Sequence, residues 1–152
     1  MDLGPVNYSD ALFIAKNMRE WDRKEIYASR WNDDPHELAA ECLSIGGFSW
    51  IAYDPEPIAI IGAVPLRPGV WNVFMFATDK FSKIAISLTK FAKNVMMPSL
   101  IAAGAHRGEC QSMAGHDDAH NWLEFLGAKR ESTSEGYGRG REDFHTYIWM
   151  AN

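Results

Sequence analysis

Cysteine is scarce in this chain, with two residues in 152, Cys42 and Cys110, both in stretches that read as core elements. A pair placed this way fits buried thiols in a reducing compartment better than a disulfide framework, so the expected site of action is cytoplasmic. Long apolar runs are missing too. The longest, Ile58 to Val64, is interrupted by Gly62, and Met1-Asp2-Leu3-Gly4-Pro5 has no basic region ahead of an apolar one. Neither a membrane span nor a signal peptide is therefore expected. Basic charge is in deficit, fifteen Lys and Arg against twenty Asp and Glu, for a formal net charge of -5. That balance repels a phosphate backbone unless the basic residues cluster, which disfavours generic nucleic-acid binding. No internal repeat or low-complexity tract is visible.

Core-forming residues are plentiful by contrast. A hydrophobic fraction of 47%, with six Trp and eight Phe, supplies ample core volume, and 152 residues suit one domain spanning 1–152. A short strand around Val6 leads to Ser9, a plausible N-cap, after which Ala11, Ile14, Ala15 and Met18 recur at helical spacing. Trp21 to Ser29 is charge-rich and reads as a short helix with Ile26 and Tyr27 as its few candidates for burial, and Arg19 to Glu25 reads as a solvated face with Trp21 as its one aromatic anchor. Asp34-Pro35 opens a further helix lined by Leu38, Ala39, Cys42 and Leu43 and stopped by Gly46-Gly47.

Three strands follow, Phe48 to Tyr53, Ile58 to Leu66 and Val70 to Phe76, separated by Asp54-Pro55-Glu56-Pro57 and Arg67-Pro68-Gly69 and expected to form an antiparallel meander. Thr78 and Asp79 then open a central helix with Phe81, Ile84, Ala85, Leu88, Phe91, Ala92 and Val95 on one stripe, and Pro98 either interrupts it or starts an extra turn. A strand over Glu109 to Met113, a helix from Asp117 or Asp118 to Gly127, and strands over Lys129 to Ser134 and Phe144 to Met150 complete the order.

This order resembles the GCN5-related N-acetyltransferase (GNAT) fold, an α/β (α+β) architecture with a mixed, mostly antiparallel central sheet flanked by helices. The most local match is His116 to Ala128, where Ala119, Leu126 and Gly127 echo the fourth-helix pattern. Trp71 to Phe76 running into Ala77-Thr78-Asp79, with the stretch from His116 through Trp122-Leu123 to Ala128, also resembles a family of GNAT-like phage proteins that includes internal virion protein A of T7-like podophages.

The resemblance implies an acetyl-CoA site at the start of the central helix, where free amides and the helix dipole favour a diphosphate. The residues that would hold it are Phe76, Thr78, Lys80 and Lys83. The family places spaced glycines there, whereas Phe76 to Ile84 contains none, and Asp79 brings a negative charge that Lys80 and Lys83 partly offset. Family members commonly use a Tyr four residues before the terminal Gly of the fourth helix as the thiolate's acid; that position is Leu123, which has no proton to give. The strand Val70 to Phe76 has no acidic side chain to act as base. No catalytic residue and no cofactor are therefore assigned from sequence. The leading expectation is an interaction or assembly module of the phage internal-virion type, acting on phage virion or host proteins in the host cytoplasm or within the particle. An active acetyl-CoA-dependent N-acetyltransferase and a soluble inhibitor of a host protein are the alternatives.

Two further constellations stand out. His116 and His120, spaced i, i+4, could ligate zinc together with His106 or Cys110, or could simply belong to a polar helix start. Gly136-Tyr137-Gly138-Arg139-Gly140-Arg141 has the look of an RNA-binding segment, although one copy among acidic neighbours reads more simply as a mobile hairpin loop.

Overall fold

In chain order the elements are β1 (Asp2–Gly4), α1 (Tyr8–Lys16), α2 (Glu20–Ala28), α3 (Pro35–Ile45), β2 (Phe48–Tyr53), β3 (Pro57–Arg67) and β4 (Val70–Ala77). Then come α4 (Ala85–Phe91), α5 (Met97–Ala102), β5 (Arg107–Met113), α6 (Asp117–Phe125), β6 (Lys129–Ser134) and β7 (Phe144–Met150). The structure, a computed structural model, describes residues 1–45 and 48–152, so the helix stop expected at Gly46-Gly47 lies outside the described residues.

The strands form one seven-stranded sheet in the order β1-β2-β3-β4-β5-β7-β6. Every pairing is antiparallel except β4 with β5, so the meander of β2, β3 and β4 is present as expected. Side-chain alternation along β3 assigns its two faces. Ile60 packs with Ile14, Ile51, Phe76 and Leu38 under α1 and α3, while Ala59, Ile61 and Ala63 pack with Leu88, Ala92 and Met96 under α4 and α5. Each fully buried Ile, Leu or Phe in these layers contributes about 1.5–3 kcal/mol.

Local signals were placed close to, but not always at, the observed boundaries. The first strand is Asp2–Gly4, not a segment around Val6, and Asn7 rather than Ser9 caps α1, its side chain accepting from the Asp10 amide at 3.0 Å. Asp34 caps α3 as expected, accepting from the His36 amide at 2.8 Å, a bond that holds the carboxyl below its ordinary range.

The central helix differs more. It is preceded by a 3₁₀ turn over Phe81–Lys83, and a π turn over Ala92–Met96 separates α4 from α5. The wider turn shifts the buried stripe by one position, so Met96 is buried at 3% exposure where straight spacing would bury Val95, which is 49% exposed. Pro98 explains the change: it lacks an amide to donate one turn back, and the π turn absorbs the missing bond without ending the helix.

Candidate functional site

The site begins with a defect in the sheet. β4 and β5 pair over Val70–Arg107, Trp71–Gly108 and Asn72–Glu109 and then part. Beyond Asn72, β4 remains bonded to β3 and β5 to β7, so the two strands turn unpaired edges toward each other across a wedge.

Two carboxylates on α2 stand at the open end of that wedge. Asp22 Oδ2 accepts from the Ala77 amide of β4 at 2.8 Å, while Glu25 Oε1 accepts from the Met113 amide and the Ser112 hydroxyl of β5, both at 2.6 Å. Spaced i, i+3, they share one helix face, so a single turn of α2 supplies partners to both diverging strands. The Arg19 amide adds a bond to the Ala77 carbonyl at 2.9 Å, and the Arg19 guanidinium holds Asp22 from Nε and Nη2. Asp22 is 2% exposed. Burial pushes its carboxyl above the ordinary value, against the opposing pull of Arg19 and the Ala77 bond.

His116, immediately before α6, lies between these carboxylates. Its Nε2 is 3.7 Å from Asp22 Oδ1 and its Nδ1 is 3.3 Å from Glu25 Oε1, the latter without the alignment of a hydrogen bond. The ring stacks beneath Trp21 with centroids 5.3 Å apart. Gly115, at φ 93°, brings the chain under that indole, where an added Cβ would meet Trp21 at 3.2 Å. The solvated face expected for Arg19 to Glu25 is thus corrected: α2 turns Asp22 and Glu25 inward beside the expected Ile26 and Tyr27, because the diverging strand edges need polar partners that water would otherwise supply.

The wedge opens into a cavity of about 630 Å³ that has two ends. Toward α2 it is lined by Arg19, Asp22, Glu25, Ser112 and His116; toward α4 and α5 it is lined by Val73, Met75, Ala92, Met96, Leu126 and Trp149. The polar end can position a cation or accept a proton at His116 Nε2, since Nδ1 is enclosed against Glu25. The apolar end can only take hydrocarbon.

The four residues expected to hold a cofactor are not brought together. Phe76 is buried under α1 and α3, on the far face from α4. Thr78 is buried, its amide donating to the Ile58 carbonyl at 2.8 Å and its hydroxyl accepting from the Lys80 amide at 3.3 Å. The Lys80 ammonium pairs with Glu56, and Lys83 closes the 3₁₀ turn. The amides of Phe81, Lys83 and Ile84 donate to the carbonyls of Thr78, Lys80 and Phe81, so three of this turn's donors are taken up within it. Asp79 lines the cavity, and Arg19 lies over the Phe81 ring at 4.6 Å.

Leu123 lines the cavity and packs with Cys110, Ala128 and Tyr147. His120, one helical turn from His116, faces the other way, its ring 5.2 Å from that of Tyr147 and 5.3 Å from that of His145. The two histidines expected to share a face therefore diverge, and no trio of metal-ligating side chains is formed among the described residues. Cys42 and Cys110 are free, buried thiols whose ionisation burial pushes up to about 12. The Gly-Arg loop is not simply a free hairpin. The Arg139 amide donates to the Ala28 carbonyl at 2.8 Å, and its guanidinium reaches the Tyr27 and Trp31 carbonyls and Asp33, strapping the β6–β7 connection to the end of α2.

Asp22, Glu25 and Ser112 carry the site without having been singled out by sequence. The available signal was that Asp22, Glu25, Ile26 and Ser29 recur at helical i, i+3, i+4, i+7 spacing, which places the acids on the stripe of the few apolar residues. Charge density in Arg19 to Glu25 obscured it.

No protein-family model and no curated protein matches the chain. Solved structures do. Ard1 from Thermoplasma volcanium superposes with a TM-score of 0.74 at 10% identity, covering 99% of this chain and 97% of that one. A GNAT-family acetyltransferase from Bacillus anthracis gives 0.72 at 12% identity, covering 97% and 93%. The structure of yncA from Salmonella typhimurium with its cofactor acetyl-CoA gives 0.74 at 11% identity, covering 100% and 94%. At these identities the likeness concerns architecture: the chain has the GNAT fold, a mixed α/β sheet of seven strands flanked by helices.

Proposed function

We propose that this protein binds an acyl-coenzyme A in the wedge between β4 and β5 and transfers the acyl group to an amine that enters from the α2 side. The wedge is the observation that carries the reading, because two parted strand edges face one cavity with buried ionisable groups at its mouth. The fold likeness to a structure holding acetyl-CoA supports it. An extended arm bearing amides suits strand edges with free backbone groups, as an added strand would.

The residues fit the two ends of such a ligand unequally. The arm would lie along Val73 to Met75 and Cys110 to Ser112. The diphosphate end has no glycine cradle, and the Phe81, Lys83 and Ile84 amides are already bonded, so Lys83 and the other basic residues there offer charge without a shaped seat. The cofactor supplies the activated thioester. On the protein's side, His116 Nε2 takes the amine's proton, while Glu25, beside Nδ1, and Asp22 orient the imidazole and balance the charge it gains. Trp21 covers the ring and keeps bulk water from it. The base missing from β4 is thus provided by the turn between β5 and α6, while Leu123 leaves the departing thiolate to be protonated from solvent.

Calorimetric titration with acetyl-CoA and transfer of labelled acetyl to a panel of primary amines test the reading. Saturable binding, with transfer that His116→Asn abolishes and leaves binding intact, is expected. No binding of acetyl-CoA up to about 1 mM would refute it.

A second reading is favoured by the bonded turn amides, by Leu123 and by Trp31, which is 98% exposed. Under it the chain is a phage interaction module of the internal-virion type, acting in the host cytoplasm or the particle, with the wedge kept as a relic. Failure to bind acetyl-CoA together with Trp31-dependent capture of phage structural proteins is its expected signature.

A further inference from the structure

We infer that the acyl group this site prefers is a medium-length hydrocarbon chain, seated in the apolar end of the wedge, and not acetyl. The inference rests on the acyl-CoA reading above and specifies its donor. The apolar end is a continuation of the wedge: Val73 and Met75 of β4 form its floor, Ala92 and Met96 of the π turn its roof, and Leu126 and Trp149 its far wall. No charged side chain enters this wall. Its one polar side-chain group, the Trp149 indole N–H, is already bonded to the Leu126 carbonyl at 3.1 Å. Away from the strand edges a polar ligand would therefore find no side-chain partner there, and a hydrocarbon would lose none.

The local sequence keeps that space open. Ala92 is small where the neighbouring stripe positions carry Leu88 and Met96, and the π turn around Pro98 carries the helix past it with a wider spacing. Met75, Met96 and Met97 are unbranched and adapt to chains of different length. The acceptor does not take this end, because its lining residues offer no group to hold an ammonium or receive its proton, whereas Asp22, Glu25 and His116 cluster on the α2 side. A hydrocarbon tail also answers the weakness at the opposite end of the cofactor, where three of the turn amides are bonded internally.

The test compares coenzyme A, acetyl-CoA and hexanoyl-CoA by calorimetry on the full chain. Each methylene moved from water to an apolar wall multiplies affinity roughly fourfold, so four partly buried ones are expected to favour hexanoyl-CoA over acetyl-CoA by at least about tenfold. Ala92→Phe, which fills the space, is expected to bring that ratio to about one with coenzyme A binding unchanged within about twofold. Met97→Trp, at a partly buried lining position, serves the same end if Ala92→Phe does not fold. Equal or tighter binding of acetyl-CoA overturns the inference and leaves the acyl-CoA reading standing. A hexanoyl preference that survives both variants, each shown folded by circular dichroism, also overturns it. Binding of none of the three ligands overturns both.

Discussion

Asp22→Ala separates a buried strut from a surface charge. If α2 were a solvated face, removing one of its acids would change stability by no more than about 0.5 kcal/mol. In the structure Asp22 satisfies the Ala77 amide, which belongs to a fully buried residue, and pairs with Arg19. Orphaning the amide costs about 1–3 kcal/mol. Losing the charged bonds to Arg19 adds only about 1 kcal/mol, discounted because that side chain is 26% exposed and regains water. The sum, about 2–4 kcal/mol, corresponds to a melting temperature lower by roughly 4–16 °C in a chain of this size. Asp22→Asn keeps one carbonyl oxygen, which can still accept from the Ala77 amide and Arg19 Nε, and is expected to lose about 1 kcal/mol through the weaker hold on Arg19. Urea unfolding at neutral pH, with thermal melts beside it, measures both. If Asp22→Ala costs less than about 1 kcal/mol, the strut is not made and the derivation of the wedge fails.

Burial, with neighbouring positive charge, holds His120 and His145 below their ordinary value of 6.5. The unfolded chain therefore takes up protons that the folded one refuses, so the contribution to stability is complete above about 6.5 and is lost as pH falls through the depressed folded values. His120→Phe, which keeps a ring against Tyr147, is expected to flatten unfolding free energy over that acidic range; an unchanged slope would assign the effect elsewhere. Gly115→Ala places a Cβ at a φ of 93° and 3.2 Å from Trp21, and should cost about 1–2 kcal/mol and shift Trp21 fluorescence. Unaltered emission and stability would mean that the indole does not lie on that turn.

Local chemistry determined much of this protein before any long-range contact. Asp34-Pro35 starts a helix because a carboxylate and a fixed φ act within a few residues, and the meander follows from two turns rich in Pro, Asp and Gly. The same locality made Leu123 and the glycine-free turn legible, since each is a question of which residue stands at a given spacing. The π turn was partly readable in Pro98, but its consequence, Met96 inward and Val95 outward, depends on the sheet beneath. The wedge could not be read at all. Its existence depends on where β4 and β5 stop pairing, and Ala77 and Met113 are brought to one helix turn only when strands far apart in sequence lie side by side. Asp22 and Glu25 look solvated in the chain because charge in water is the cheapest arrangement for an isolated helix. Only the assembled sheet, with unpaired amides needing acceptors, makes burying them favourable, and only that burial gives His116 its two carboxylate neighbours.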